Sequence, residues 1–175
     1  NGKTVRAGGW GYLIGDEGSG YAIGLAALQA GARFADGRGQ STRLLNDILA
    51  DWNLSQPSDL IPEVYRSAEN RSVKIAHLAE LVKVGAESGD EVSLAIEAAA
   101  ARELAAALQS VIRQLGFEGE IPTAFGGSVL VHNNRIANAV RDHLLKDGCQ
   151  LEPFTLAECP AEGAVNMALQ HLISK

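Results

Sequence analysis

The feature that most constrains the fold is an alanine-rich stretch at residues 89–116, GDEVSLAIEAAAARELAAALQSVIRQLG. Alanine is the strongest helix former, Asp90 is a favourable N-cap residue, and Gly116 is typical of a C-terminal cap. The pattern therefore predicts one long helix between these two residues. Because so many of its side chains are small, neighbouring helices can approach it closely.

Besides a short helix begun by Pro57 or Pro62, three helices are predicted upstream of the alanine-rich helix. The first begins near Ser19 or Gly20, where apolar residues start to recur at helical spacing. The second takes Ser41 as its N-cap. The third covers residues 72–87 and is expected to bury one apolar stripe, formed by Val73, Ala76, Leu81 and Val84.

The last third of the chain alternates between strand-like and helix-like segments. EIPTAFGGSVLV and CQLEPFTL are typical of strands, while NNRIANAVRDHLLKDG and PAEGAVNMALQHLIS are typical of helices. This β-α-β-α order favours a parallel α/β sheet. Near the start, residues 3–7 and 11–15 are each expected to form a short strand.

Composition limits the class of protein. The chain has 175 residues, about one domain, and its 46% hydrophobic but only 5% aromatic residues predict an aliphatic core. A net charge of −6 argues against a nucleic-acid partner, and the sequence has no apolar stretch of membrane-spanning length. The two cysteines, Cys149 and Cys159, are interpreted as buried thiols in a reducing compartment. We therefore expect a cytoplasmic protein.

The glycine-rich segment GGWGYLIGDEGSGYAIG, residues 8–24, is the first candidate site. The glycines around Trp10 leave the backbone accessible, the indole offers a flat apolar face, and Asp16 offers a carboxylate. This combination suits a sugar ring. The alternative is a hairpin bend in which Trp10 fills a core. We expect Glu17 to cap the following helix, although a metal-related role is the alternative.

Two further segments are candidate sites. Gly126, Gly127 and Ser128 lie between a predicted strand and a helix, where a backbone can approach a ligand closely. They match neither the P-loop nor the GxGxxG pattern. The segment GAESGD, residues 85–90, is either a second ligand contact or a plain junction between helices. The four histidines show no metal-ligand spacing, so no metal site is predicted.

These segments together resemble a known family. GGWG followed after three residues by GDEGS, with GAESGD, FGGSV and PAEGAVNMAL, is similar to the N-acetylglucosamine kinases within the BadF/BadG/BcrA/BcrD ATPase group. The likeness runs almost end to end but covers only the C-terminal half of such a kinase. It implies an α/β, ribonuclease H-like (actin-like ATPase) domain with a mostly parallel sheet and a large helical content.

The resemblance also implies an organisation and an activity. Residues 1–175 would form a single C-terminal domain of a two-domain sugar kinase, whose N-terminal domain, with the catalytic base, would lie outside this sequence. The whole protein would phosphorylate an amino sugar, N-acetylglucosamine or glucosamine, using ATP and Mg²⁺, and this sequence alone should be inactive. The apolar helices leave room for a homodimer.

The resemblance assigns roles to particular residues. Gly9, Trp10, Gly11 and Asp16 would bind the sugar. Ala86 would lie against the nucleotide, and the adenosine-binding turn would comprise Gly126, Gly127 and Ser128.

Two other functions stay open for such a chain. One is a non-catalytic sensor of a sugar or nucleotide. The other is an ATPase that activates an acyl-CoA dehydratase or reductase and joins two subunits through a cysteine-bound iron–sulfur cluster. The positions of Cys149 and Cys159, in and after the last predicted strand, disfavour the second.

Overall fold

The computed structural model describes residues 3–66 and 70–173. The chain divides into two compact units, Asn1–Gly116 and Phe117–Lys175. Within the described residues, the helices of the first unit are α1 (Gly20–Ala35), α2 (Leu44–Asp51), α3 (Leu60–Arg66), α4 (Arg71–Glu87) and α5 (Glu91–Leu115), and a 3₁₀ turn (Pro57–Asp59) precedes α3.

The long helix α5 confirms the expectation from the alanine-rich stretch. The Asp90 carboxylate accepts a hydrogen bond from the backbone N–H of Ser93 at 2.8 Å, which caps the first turn. At the other end Gly116 has a φ of 69°, the left-handed conformation that closes a helix. The small side chains are used for packing, since the buried face of α5 includes Ala100, Ala101 and Ala105.

Helix α1 begins at Gly20, as predicted, and packs closely against α4. Its N-cap is Ser19, whose hydroxyl accepts the N–H of Ala22 at 3.2 Å, so the expectation that Glu17 caps this helix is wrong. A Cβ atom at Gly24 would lie only 1.8 Å from the carbonyl oxygen of Ile75 on α4. Glycine is therefore required where the two helices touch.

Two local expectations in this unit are wrong. Helix α2 begins two residues later than the proposed cap Ser41 requires. Thr42 Oγ1 accepts the N–H of Leu44 instead, at 3.2 Å.

In α4 the apolar stripe that was expected to be buried is wrong, since its first residue, Val73, is 69% exposed. Apolar residues occur on both sides of this helix, and the packing of α1, α2 and α5 against it decides which side is covered. The buried side consists of Ile75, Leu78, Val82, Gly85 and Ala86.

The core of the first unit is aliphatic, as the composition predicts. Its fully or nearly fully buried side chains come from four helices, and each such leucine or isoleucine contributes about 1.5–3 kcal/mol relative to an exposed one. They include Ile23, Ala27, Leu44, Ile48, Ile75, Leu78, Val82 and Ala101.

The second unit holds a two-stranded parallel sheet. Its described elements are β1 (Thr123–Gly126), α6 (Ser128–His132), α7 (Asn134–Lys146), β2 (Phe154–Ala157) and α8 (Pro160–Ile173). Residues Thr123 and Phe154 pair in register at one end, and Gly126 and Ala157 at the other. The predicted β-α-β-α order and parallel pairing are confirmed. The segment VLV, expected to continue the strand, lies in α6 because the chain turns at Gly127.

Other expectations for the ends of the chain are corrected. Residues 3–7 form no strand, and residues 11–15 form a tight turn with a single antiparallel bridge between Gly11 and Gly15. Cys149 is half-buried and Cys159 is exposed, so the interpretation of both as buried thiols is wrong. No helix in the part of the chain that the structure describes is long and apolar enough to cross a membrane.

Candidate functional site

The first candidate site is the segment from Gly8 to Gly18, here called the 8–18 loop. Its turn is closed by backbone hydrogen bonds, from Trp10 N to the Gly15 carbonyl at 2.8 Å and from Gly15 N to the Gly11 carbonyl at 3.0 Å. Gly9 and Gly11 have φ values of 68° and 90°, which other residues rarely adopt. The glycines predicted to bare the backbone are thus what gives the turn its shape.

The apolar side chains of the 8–18 loop point to solvent. Trp10 is 64% exposed, and Leu13 and Ile14 are 80% and 79% exposed. Trp10 therefore does not fill a core in the first unit, although the glycines do form the bend that this alternative also expected. An exposed indole face together with exposed aliphatic residues is available to a ligand or a partner.

Asp16 follows the closing residue of the turn and is half-buried. Its backbone carbonyl accepts the N–H of Ser19 at 3.1 Å, which fixes the backbone of Asp16 just before α1. Within residues 3–66 and 70–173 no hydrogen bond or ion pair engages the Asp16 side chain. A carboxylate in this state can accept hydrogen bonds from ligand hydroxyl groups.

The loop is anchored on α5. Gly18, with a φ of 76°, lies so close to this helix that a Cβ atom would meet Leu104 Cγ at 2.4 Å. Beside this contact an apolar groove of about 390 Å³ runs between α1 and α5, lined mainly by small residues such as Ala22, Ala26, Ala95 and Ala99. Neither Trp10 nor Asp16 lines this groove, so the sugar-site residues proposed from the sequence lie outside it.

The second candidate site is the junction between α4 and α5, residues 85–90, here called the α4–α5 junction. Ala86 is only 4% exposed, so its side chain packs inside the first unit. A Cβ atom on Gly85 would lie 2.3 Å from the hydroxyl oxygen of Ser93, a side chain that is itself fully buried. The junction is therefore tightly packed.

Asp90 holds the α4–α5 junction together. Besides the Ser93 N–H, its carboxylate accepts hydrogen bonds from the Ser93 hydroxyl at 2.7 Å, the Thr42 hydroxyl at 3.0 Å and the Arg43 backbone N–H at 3.1 Å. Burial acts to raise the pKa of Asp90, but the hydrogen bonds from Ser93, Arg43 and Thr42 outweigh it and lower the pKa below its ordinary value. The Arg43 guanidinium also reaches Ser88 Oγ at 2.8 Å.

The third candidate site is the turn formed by Gly126, Gly127 and Ser128 at the end of β1. All three residues are exposed, and Gly127 has a φ of 87° with open space where a Cβ atom would stand. The backbone at this strand end is therefore accessible, as expected from the sequence. It belongs to the second compact unit, whereas Gly9, Trp10, Gly11, Asp16 and Ala86 belong to the first.

Sequence reasoning missed two functional contacts. It identified Asp90 as a helix cap but not its bonds to Thr42 and Arg43, which lie more than 45 residues away in sequence. It also missed Arg6, whose guanidinium carbon lies 5.0 Å from the centre of the Trp10 ring. Neither contact follows from a periodic pattern, because both depend on how loops fold back.

Among the residues that can be described, no group of three or more His, Cys, Asp or Glu side chains could hold a metal ion. The side chain of His171 lies outside the described part of the chain. No residue here is therefore assigned to Mg²⁺.

Comparison with known proteins identifies relatives along most of the chain. The sequence profile of the BadF/BadG/BcrA/BcrD ATPase family matches residues 1–168. The chain is 35% identical over 168 residues to an N-acetylmuramic acid/N-acetylglucosamine kinase of Clostridium acetobutylicum, and 31% identical over 170 residues to an N-acetyl-D-glucosamine kinase of Dictyostelium discoideum. These matches cover 95% and 96% of this chain but 55% and 53% of the relatives. The chain thus spans about half the length of the curated relatives it matches.

A solved structure supports the fold. A crystal structure from Chromobacterium violaceum, provisionally assigned as an N-acetylglucosamine kinase, matches with a TM-score of 0.62 at 28% sequence identity. The match covers 81% of this chain and 44% of that one. The predicted α/β class of the actin-like ATPase fold is confirmed.

Proposed function

The chain belongs to the BadF/BadG/BcrA/BcrD ATPase family, and from this membership we propose that it is part of a kinase that phosphorylates an amino sugar, N-acetylglucosamine or glucosamine, with ATP. The observation that carries the proposal is the 8–18 loop, which presents an exposed indole at Trp10 and an unengaged carboxylate at Asp16, six positions later in the chain. The names of both curated relatives include N-acetylglucosamine kinase activity.

In this proposal the 8–18 loop binds the sugar. The apolar C–H face of a pyranose ring packs on the Trp10 indole, and the Asp16 carboxylate accepts hydrogen bonds from two hydroxyl groups. Gly9 and Gly11 contribute backbone groups, because their conformations keep side chains away from the ring. These four residues hold the acceptor sugar in one orientation.

The other two candidate sites are proposed to contribute nucleotide-binding residues. Gly126, Gly127 and Ser128 offer an accessible backbone for the adenosine, and Ala86 of the α4–α5 junction is a proposed nucleotide-binding residue. Because Ala86 is buried, its role is to shape the surface rather than to contact ATP through an exposed side chain. Mg²⁺ would come with the phosphates and neutralise their charge.

The reaction is an in-line transfer of the γ-phosphoryl group. The bond between this group and ADP breaks, a bond to a sugar hydroxyl oxygen forms, and the hydroxyl proton passes to a base. We assign no base to the described residues; we propose that an N-terminal domain of the same protein supplies it. This chain then acts as a single C-terminal domain that binds and positions both substrates. We also propose a cytoplasmic location and a homodimer.

The proposal is tested with two substitutions in the full-length protein. Trp10→Ala and Asp16→Asn should each weaken sugar binding by about tenfold or more, because a stacked ring or a charge-assisted hydrogen bond is lost. Affinity for ATP should stay within about twofold. Isothermal titration calorimetry with N-acetylglucosamine and, separately, with a non-hydrolysable ATP analogue measures both.

Matched controls are available in the same unit. Tyr65 is a similarly exposed aromatic residue and Asp51 is an exposed aspartate, and both lie outside the 8–18 loop. Tyr65→Ala and Asp51→Asn should leave sugar affinity unchanged. Unchanged sugar affinity in Trp10→Ala would refute the assigned site. ATP-dependent phosphorylation of neither amino sugar by the full-length wild-type protein would refute the kinase assignment.

A further inference from the structure

The side chain of Arg6 lies against the indole of Trp10, with the guanidinium carbon 5.0 Å from the ring centre. Both side chains are exposed to solvent. A guanidinium over a tryptophan ring is held by the negative potential of the ring face, and Trp is the best aromatic partner for such a cation. Arg6 is therefore fixed beside the proposed sugar site and is still accessible.

The guanidinium N–H groups of Arg6 are available to donate hydrogen bonds to a ligand. In the described part of the chain, no carboxylate or carbonyl group forms an ion pair or hydrogen bond with its guanidinium. The other cation of this segment, Lys3, is engaged, because its ammonium group donates a hydrogen bond to the carbonyl of Gln114. A guanidinium held by a ring can still direct N–H groups to a carboxylate, and two of them match its two oxygens.

Apart from Arg6, the charges near this site would repel an anionic ligand. The chain carries a net charge of −6, and the acid pair Asp16 and Glu17 follows Trp10 in the same loop. A sugar with a carboxylate would be repelled here unless a cation compensated for it. Arg6 is the residue in the right place to do so.

We propose that Arg6 is a specificity-determining residue that binds a carboxylate carried by the sugar. This inference rests on the proposed function and extends its substrate class to N-acetylated amino sugars with an acidic substituent. N-acetylmuramic acid, which is N-acetylglucosamine with a lactyl ether, has such a carboxylate, and it appears in the name of the Clostridium relative. The neutral sugar uses Gly9, Trp10, Gly11 and Asp16, whereas the acidic sugar also uses Arg6.

The test compares kcat/KM for N-acetylmuramic acid and N-acetylglucosamine in the full-length protein. Arg6→Gln should lower kcat/KM for the acidic sugar about three- to tenfold, and change that for the neutral sugar less than about twofold. Arg6→Lys, which keeps the charge but loses the planar pair of donors, should give an intermediate value. Arg66→Gln makes the same charge change at an exposed position on α3 and should leave both values unchanged.

A second measurement varies the ionic strength. Raising the ionic strength from about 0.05 M to about 0.5 M should lower wild-type kcat/KM for N-acetylmuramic acid more than for N-acetylglucosamine, because salt screens the exposed pair. In Arg6→Gln this difference should shrink.

The outcomes separate the two proposals. If the wild type phosphorylates N-acetylglucosamine but not N-acetylmuramic acid, or if Arg6→Gln keeps the wild-type ratio of the two values, the role of Arg6 is overturned and the kinase assignment stands. If the wild type phosphorylates none of N-acetylglucosamine, glucosamine and N-acetylmuramic acid, both proposals fail. A lowered ratio in Arg6→Gln, with Arg66→Gln unchanged, supports the role of Arg6.

Discussion

The 8–18 loop and the α4–α5 junction are both short, glycine-containing segments with an aspartate, yet they are held in different ways. The 8–18 loop is shaped by backbone hydrogen bonds and leaves its large side chains in solvent. The junction is held by side-chain hydrogen bonds to one carboxylate, and its Ala86 and Ser93 are buried. One segment presents groups to a ligand, and the other fixes two helices.

The difference teaches how an aspartate's role follows from its partners. Asp90 accepts four hydrogen bonds from three residues, so its carboxylate is fully used within the protein. Asp16 is left to accept bonds from outside. A change at the junction should therefore affect stability, whereas a change in the loop should affect binding.

The largest expected effect is at Asp90. Asp90→Ala removes the acceptor of four hydrogen bonds and the cap of α5, and should lower the free energy of unfolding by about 2–4 kcal/mol. Asp51→Ala, an exposed aspartate on α2, should change it by less than about 0.5 kcal/mol. Urea unfolding followed by circular dichroism measures both. Equal effects of the two substitutions would show that the Asp90 network contributes little.

Lowering the pH should remove part of the stabilisation that the Asp90 carboxylate provides. Because the pKa of Asp90 is lower in the folded protein than its ordinary value of 3.8, its ionisation stabilises the fold above that value. This contribution is lost as the pH falls through the folded-state pKa. Urea midpoints measured from about pH 6 to about pH 2.5 should fall more steeply in the wild type than in Asp90→Asn. Parallel curves would contradict the assignment.

Gly85 should show a smaller, purely steric effect. Gly85→Ala forces the new Cβ atom against the Ser93 hydroxyl and should destabilise by about 1–3 kcal/mol. The cost should be smaller when measured in a Ser93→Ala background, since the closest atom is then gone. Gly163→Ala in α8, where a Cβ atom would meet nothing within 4 Å, should be neutral or stabilising by up to about 1 kcal/mol. An identical cost of Gly85→Ala in both backgrounds would place the strain elsewhere.

The smallest stability effect is expected in the 8–18 loop. Leu13 is 80% exposed, so Leu13→Ser should change the free energy of unfolding by less than about 0.5 kcal/mol. The same thermal or urea unfolding experiment measures it. A loss of more than about 1 kcal/mol would mean that Leu13 is covered in the protein, and the contrast between the two segments would then be weaker.

Much of the local structure could be predicted from local sequence patterns. The bounds of α5 follow from Asp90, a run of alanines and Gly116, because caps and propensities act over a few residues. The start of α1 near Ser19 and the order of elements after residue 117 were predicted for the same reason. The buried side of α4 was not, because apolar residues occur on both sides of that helix and the packing of α1, α2 and α5 decides which are covered.

In the candidate site, too, some features follow from the local sequence and others depend on the tertiary structure. The sequence by itself determined the glycine turn around Trp10, the nearby carboxylate and the family, since these rest on residues close together in the chain. Only the tertiary structure decided that Asp90 joins Thr42 and Arg43, which lie more than 45 residues away in sequence. Only the conformation of the backbone between Arg6 and Trp10 places the guanidinium on the ring. Such contacts depend on the path of the chain through space, and a periodic pattern carries no information about that path.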